Sequence, residues 1–214
     1  MSEDVFQIIT NTDLKALKMQ MALQCSPLLA GLKVSNLFIV SSKDEKHVQR
    51  LFRRSDITAR IIYKGNEKTT FLLYRSYELE AYMAQEGVKK LLAWLGYTKI
   101  RLEDVLDLFC QRYGQYRQRK REFPHEMGLL LGYPVGDVYG FIINQGKNYL
   151  YTGYWKVYDN LTETLKLFEQ FEQAKELMIR RVNAGAGFSD IIMTPESKRR
   201  KIRGVSASNF NLTL

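Results

Sequence analysis

The chain has 214 residues, of which 45% are hydrophobic and 26% are charged. This composition is typical of a globular protein and excludes a chain that is disordered along most of its length. No apolar run approaches the roughly 20 residues that a membrane-spanning helix needs, so we expect no membrane partner.

The formal net charge is +9, and the excess of positive charge comes from two segments. The first is the segment 195–214, which we expect to be a basic, disordered tail after a single domain at 1–194. The second cluster comprises Arg112, Arg117, Arg119, Lys120 and Arg121. These segments allow a nucleic-acid-binding function, although cations at a helix C-terminus also complement the helix dipole.

Cys25 and Cys110 lie far apart in the chain. The first residues are partly acidic, where a secretory signal peptide has basic residues followed by an apolar core. We therefore expect a cytoplasmic protein with reduced thiols.

The first part of the chain predicts a helix, a strand, a helix and a β-hairpin. Thr12 or Asp13 caps the first helix, and Pro27 ends or restarts it. Later elements follow from apolar runs, helical spacing and a turn signal at 65–68. They are a buried strand at 37–40, a helix at 44–53, and hairpin arms at 59–63 and 69–74.

The second part predicts further helices and one strand. Helical spacing covers 79–95, which Gly87 weakens, and 102–116. Proline and glycine then bound short helices at 125–131 and 134–144, and alternation predicts a strand at 149–158. A capping box of Asn160 and Glu163 begins the last helix. The fold class is therefore α+β, with a mixed or antiparallel sheet of about four strands covered by about five helices.

A dense set of motifs then identifies a family resemblance. The motifs are Phe123-Pro124-His125-Glu126-Met127-Gly128, Leu131-Gly132-Tyr133-Pro134, Asp137-Val138, Gly140-Phe141-Ile142, Gly146-Lys147-Asn148, Gly153-Tyr154-Trp155-Lys156-Val157-Tyr158 and an upstream Cys25-Ser26-Pro27 with Leu29, Gly31 and Lys33. Over residues 10–185 the chain resembles the uncharacterised bacterial family called domain of unknown function 3793. The resemblance implies a cytoplasmic bacterial protein and assigns no activity.

His125 and Glu126 form the first candidate site. A histidine in the first turn of a helix can act as a general base, a metal or haem ligand, or an anion contact. Alternatively, its ring packs against the preceding loop. No second histidine stands at metal-ligand spacing, and His47 lies in a polar helix.

Cys25 is the candidate nucleophile, paired in space with His125. Its place among apolar residues at helical spacing also fits a buried structural thiol. If the first helix ends at Ser26, the helix dipole disfavours the thiolate. If Pro27 instead begins a second helix, Cys25 lies near the positive end of that helix, and the dipole favours the thiolate.

Aromatic and basic residues around the predicted strand form the third candidate set. Aromatic rings line pockets for flat ligands, and lysines hold anionic groups. A half-buried sheet with tyrosine hydroxyls at its edge explains the same pattern. With His125 and Glu126, the predicted ligand-binding residues are Lys33, Tyr133, Lys147, Tyr154, Trp155, Lys156 and Tyr158.

These residues support three hypotheses. The first is a binding domain for a small anionic or planar ligand, or for a metal-bearing cofactor. The second is an enzyme that uses Cys25 and His125 on acyl or thiol substrates. The third is a nucleic-acid-binding module that uses the basic segments. The glycines match no phosphate-binding loop, and a helix-turn-helix spacing around Gly128 and Gly132 is weak.

Overall fold

The protein is described by a computed structural model that covers residues 1–11, 16–53 and 55–192. The predicted tail 195–214 and the predicted cap residues Thr12 and Asp13 lie outside the described residues. The main sheet is antiparallel, with strand order β1-β3-β2. Its strands are β1 (Ser35–Ser41), β2 (Thr58–Lys64) and β3 (Lys68–Tyr74). A second sheet consists of β4 (Tyr151–Thr152) and β5 (Lys156–Val157).

The described helices follow the chain between and after these strands. They are α1 (Glu3–Asn11), α2 (Leu17–Leu29), α3 (Glu45–Phe52), α4 (Ser76–Met83), α5 (Glu86–Trp94), α6 (Leu102–Arg117), α7 (Met127–Leu130), α8 (Val135–Ile143), α9 (Leu161–Asn183) and α10 (Phe188–Ile191), with a 3₁₀ turn at Ser42–Asp44. Helices and an antiparallel sheet together confirm the predicted α+β class, but the described main sheet has three strands instead of about four, and the described helices outnumber the predicted five. No helix among these described residues is both long enough and apolar enough to cross a membrane.

The central strand β3 is covered on both faces, as its nearly continuous apolar sequence requires. Phe71 and Leu73 join one hydrophobic cluster with α1, α2, α3, α9 and α10. Leu72 and Tyr74 join another with helices α4 to α8. Side chains alternate between the faces of a strand, so β3 connects two helical layers.

Two predicted elements are divided in the structure. The helix predicted at 79–95 is interrupted because Gln85 adopts an extended conformation between α4 and α5. The strand predicted at 149–158 is wrong as a single strand, because the chain turns back at Gly153 to form the β4–β5 hairpin. A Cβ at Gly153 would lie 2.5 Å from the ring of Phe168, so only glycine fits this approach to α9.

Two predicted helix boundaries also differ. Pro27 neither ends nor restarts α2, since the helix continues to Leu29. The capping box is wrong, because Asn160 has φ of 50° and makes no side-chain capping bond. Asp159 instead accepts a hydrogen bond of 2.8 Å from the backbone N–H of Asn160. The long helix α9 itself, and the helices predicted at 102–116 and 134–144, are confirmed.

Candidate functional site

A pocket of about 380 Å³ lies between α7, α8 and the β4–β5 hairpin. Leu37 of β1 contributes to its lining and connects it to the main sheet. The rest of the lining comes from residues 123–141 and 152–156, and it is mostly apolar. Its volume falls near the lower end of the roughly 300–1,000 Å³ that small-molecule sites occupy.

The pocket brings together part of the predicted ligand-binding set. The predicted residues that line it are His125, Tyr133, Tyr154, Trp155 and Lys156. The predicted residues Lys33, Glu126, Lys147 and Tyr158 are not among its lining residues, and neither is Cys25.

The end of α7 holds Tyr133 in position. Gly132 has φ of 71°, a left-handed conformation that glycine adopts at low cost after a helix. This turn lets the Tyr133 N–H donate to the carbonyl of Gly128 at 3.0 Å. The Tyr133 carbonyl in turn accepts a 2.5 Å hydrogen bond from the hydroxyl of Tyr82 on α4. Backbone constraints on both sides therefore fix this aromatic residue.

Stacked rings form one wall of the pocket. The ring centroids of Tyr133 and Trp155 lie 4.6 Å apart, with an angle of 26° between the planes. Trp155 in turn meets the ring of Phe168 edge-on at 4.6 Å. Such aromatic pairs contribute about 0.5–1.5 kcal/mol each beyond the area they bury. The wall is therefore rigid and largely preformed.

Asp137 of α8 lies in the lining but has its carboxylate fully engaged. One oxygen accepts from Nε1 of Trp155 at 2.7 Å. The other accepts from the backbone N–H groups of Tyr158 at 2.7 Å and Asp159 at 3.1 Å. Three donors therefore compensate this buried charge, and they attach the β4–β5 hairpin to α8.

His125 is the polar residue in the lining that is least satisfied. Its ring lies 5.9 Å from that of Phe123 and 5.6 Å from that of Phe141, measured between centroids. Its Nδ1 atom is buried and has no hydrogen-bond partner among the described residues. An unmade hydrogen bond at a buried polar atom costs about 1–3 kcal/mol. The atom is not exposed to the pocket, so a ligand can supply the missing partner only after the His125 side chain moves.

Lys156 supplies a positive charge to the same pocket. Its Nζ donates to the carbonyl of Gly146 at 2.6 Å and lies 4.6 Å from the ring centroid of Tyr149. A carbonyl partner leaves two of the three ammonium protons of a lysine for other acceptors. The arrangement can therefore hold an anionic group beside the aromatic wall.

Glu126 does not line the pocket, and its side chain belongs to a buried hydrogen-bond network. Its side chain is only 3% exposed and accepts hydrogen bonds of 2.9 Å from the hydroxyl of Tyr97 and from Nη1 of Arg112. Arg112 also donates to the carbonyl of Leu95 at 3.0 Å. This network joins α5, α6 and the segment before α7, so it supports the site from outside the pocket.

The other predicted ligand-binding residues lie around the pocket. Lys33 is half-buried, donates to Oδ1 of Asn36 at 3.2 Å and has its Nζ 5.2 Å from the ring centroid of Tyr133. Burial lowers the pKa of Lys33 to about 8. Lys147 is exposed after α8. Tyr158 packs against Gly140, and its hydroxyl oxygen has no partner among the described residues.

Cys25 has the environment of a structural thiol. It is fully buried in the hydrophobic cluster that α2 forms with the sheet. Burial raises the pKa of this thiol to about 12, although Asn36, with its side-chain nitrogen 3.7 Å from the sulfur, lowers it somewhat. The thiolate is therefore scarce at neutral pH. Cys110 is half-buried, and burial raises its pKa as well.

The described residues contain no group of three or more His, Cys, Asp or Glu side chains arranged to hold a metal ion. Of the described lining residues, His125 carries an imidazole that could ligate the metal of a bound cofactor.

The predicted basic cluster is divided in the structure. Arg112 is buried against Glu126, and the guanidinium of Arg117 lies 5.1 Å from the ring centroid of Tyr63. Arg117 is nevertheless exposed, as are Arg119, Lys120 and Arg121 in the turn after α6. Four of the five predicted cations therefore lie at the surface.

Several lining residues were not predicted as site residues. Val138 and Phe141 stand three residues apart on α8, a spacing that places both on one face of a helix and could have identified them. Phe123 begins one of the motifs that carry the family resemblance, but nothing in its residue type distinguishes it from a residue of the hydrophobic core. Leu37 comes from a distant strand, and no local signal relates it to the pocket.

Comparisons with known proteins place the chain in a family without assigning a function. No curated protein and no solved structure matches the chain. The family model described as "Protein of unknown function (DUF3793)" matches residues 21–192. The match covers most of the chain and includes every pocket-lining residue, and the chain therefore belongs to the DUF3793 family.

Proposed function

We propose that the protein binds a small planar ligand with an anionic group in the pocket between α7, α8 and the β4–β5 hairpin. The observation that carries the proposal is a mostly apolar pocket that is walled by stacked aromatic rings and has Lys156 in its lining. Aromatic walls fit a flat ligand, and the lysine ammonium fits an anionic group on that ligand.

Charge favours an anion over a cation. Among the described residues that line the pocket, Asp137 carries the carboxylate, and three donors already satisfy it. Lys156 contributes a positive charge to the lining. An anionic group therefore gains an attractive partner there and meets no free carboxylate.

A metal-bearing planar cofactor is the second form of the same proposal. His125 would supply the protein ligand to the metal of such a cofactor. A cytoplasmic location also belongs to the proposal, and the free thiols of Cys25 and Cys110 are compatible with it.

A ligand screen tests the proposal. The probes are flavins, purine nucleosides and nucleotides, haem and divalent metal ions, each monitored by thermal unfolding. A ligand at about 100 times its Kd stabilises by about 2.7 kcal/mol, which raises Tm by roughly 5–10 °C in a chain of this size. The absence of any shift with every planar probe would contradict the proposal.

Fluorescence of Trp155 locates the binding. A Trp94→Phe background removes the other tryptophan, which is 61% exposed and outside the pocket. In that background a planar ligand in the pocket should quench Trp155. His125→Phe and Lys156→Met should each weaken binding by about tenfold, which is about 1.4 kcal/mol. Lys147→Met removes the same charge outside the pocket and should leave Kd unchanged.

A further inference from the structure

Three exposed cations lie close in the chain to Phe123, a residue of the pocket lining. Arg119, Lys120 and Arg121 follow α6, and none forms an ion pair with a described residue. Glu122 is the acid beside them in the chain. Phe123, two residues after Arg121, lines the pocket and is 41% exposed.

Aromatic contacts anchor this turn beside the pocket. The ring of Phe123 meets that of Tyr116 on α6 edge-on at 5.2 Å and that of His125 at 5.9 Å. Two residues of extended chain span at most about 7 Å, so the backbone of Arg121 cannot lie far from Phe123. The backbone of Arg121, the nearest of the three, therefore lies close enough for a long side chain to contact a ligand that extends out past Phe123.

Arg119 occupies a backbone position that suits glycine or asparagine. Its φ is 59°. The Arg119 N–H donates to the carbonyl of Tyr116 at 2.8 Å, and the Lys120 N–H donates to the carbonyl of Gln115 at 2.9 Å. This pair of bonds is the glycine-favouring helix ending known as the Schellman motif. A non-glycine residue in this conformation lowers the free energy of unfolding by about 1 kcal/mol. The arginine at this position therefore destabilises the turn but adds a guanidinium to the surface.

We propose that the ligand is a phosphate ester of a planar heteroaromatic compound, whose phosphate lies at the Arg119–Arg121 turn while its ring enters the pocket. This inference rests on the proposed function of the pocket. A phosphate monoester carries close to two charges and three acceptor oxygens at neutral pH, so Lys156 alone does not satisfy it. Guanidinium groups bind phosphate through paired hydrogen bonds, and two arginines and a lysine match that demand.

Matched probe pairs test the inference, with flavin mononucleotide against riboflavin and adenosine monophosphate against adenosine. Within at least one pair, the phosphorylated member should bind at least tenfold more tightly. The variant Arg119→Ala/Lys120→Ala/Arg121→Ala should reduce that preference to less than threefold and leave affinity for the unphosphorylated member unchanged. The variant Lys43→Ala/Lys46→Ala/Arg50→Ala removes the same charge from exposed residues around α3 and should keep the preference.

The outcomes separate the two proposals. Equal binding of both members, or a preference that survives the Arg119–Arg121 substitutions, overturns the phosphate inference and leaves the pocket proposal standing. Absence of binding by every member of both pairs and by the other planar probes overturns both. Arg119→Gly adds a check on folding, because it should raise Tm and at the same time weaken binding of the phosphorylated probe.

Discussion

Asp137 accepts a hydrogen bond of 2.7 Å from Nε1 of Trp155, and this contact couples α8 to the β4–β5 hairpin. The same carboxylate receives two backbone N–H groups from the chain just after β5. A hairpin whose strands have only two residues each is marginally stable by itself. The aromatic wall of the pocket therefore depends on one buried charge.

Replacing that charge should destabilise the protein. Asp137→Asn presents an amide NH₂ toward at least one N–H donor, so we expect the free energy of unfolding to fall by about 2–3 kcal/mol. Urea denaturation monitored by Trp155 fluorescence in the Trp94→Phe background measures the change. As a control, Asp107→Asn removes an exposed carboxylate paired with Arg60 and should cost less than about 1 kcal/mol. Equal effects of the two variants would show that Asp137 has no special structural role.

Glu126 should behave as a structural residue and not as a ligand-binding one. Glu126→Gln leaves the buried Arg112 charge uncompensated, so we expect a loss of about 3–5 kcal/mol in the free energy of unfolding. The double variant Arg112→Met/Glu126→Leu removes both charges and should recover part of this loss. A Glu126→Gln protein as stable as wild type, but weaker in ligand binding, would instead make Glu126 part of the site.

The sequence predicts the local elements better than their assembly. Helical spacing at 102–116 and the turn at 65–68 identify α6 and the β2–β3 hairpin, because each signal depends only on near neighbours. Alternation at 149–158 predicts a single strand, but the segment forms the β4–β5 hairpin. Alternation does not report the long-range contacts of this segment. Phe168 on α9 lies so close to Gly153 that no side chain fits there, and the chain turns at this glycine.

The candidate site shows the same limit. His125, Tyr133 and Trp155 are recognisable as unusual residues in one segment, and all three line the pocket. Their neighbour Glu126 carries the same sequence signal, yet it bonds with Arg112 and Tyr97. Which side of a short helix faces a cavity depends on contacts with α5 and α6, and residue spacing within α7 contains no information about them.

His125→Phe should separate ligand binding from stability. Phenylalanine retains the ring contacts with Phe123 and Phe141 and removes the unpartnered Nδ1. We therefore expect the free energy of unfolding of the ligand-free protein to stay unchanged or to rise by about 1 kcal/mol. Urea denaturation measures it. A loss of more than about 2 kcal/mol would mean that Nδ1 has a stabilising role and would remove it as a free ligand contact.

Thiol labelling tests the hypothesis of a Cys25/His125 enzyme. Because burial raises the pKa of Cys25 to about 12, its alkylation at pH 7.5 should require opening of the structure. The half-buried Cys110 should react first. Iodoacetamide labelling of Cys110→Ser and Cys25→Ser variants, followed by mass spectrometry, resolves the two rates. Faster reaction at Cys25 than at Cys110 in the native state would restore the nucleophile hypothesis.

Lys33 should give the protein a stability that increases with pH. Its pKa is about 8 in the folded protein, against the ordinary lysine value of 10.5 in the unfolded chain, so the unfolded chain binds the proton more tightly between these values. The charged form therefore lowers stability below pH 8, and this cost disappears as pH rises toward 10.5. Lys33→Met should stabilise the protein at pH 7 by about 1 kcal/mol, a value reduced for the partial exposure of the side chain. Urea denaturation of both proteins should show the difference shrinking between pH 8 and 10.5. A difference that stays constant across this range would mean that Lys33 remains fully charged in the folded protein.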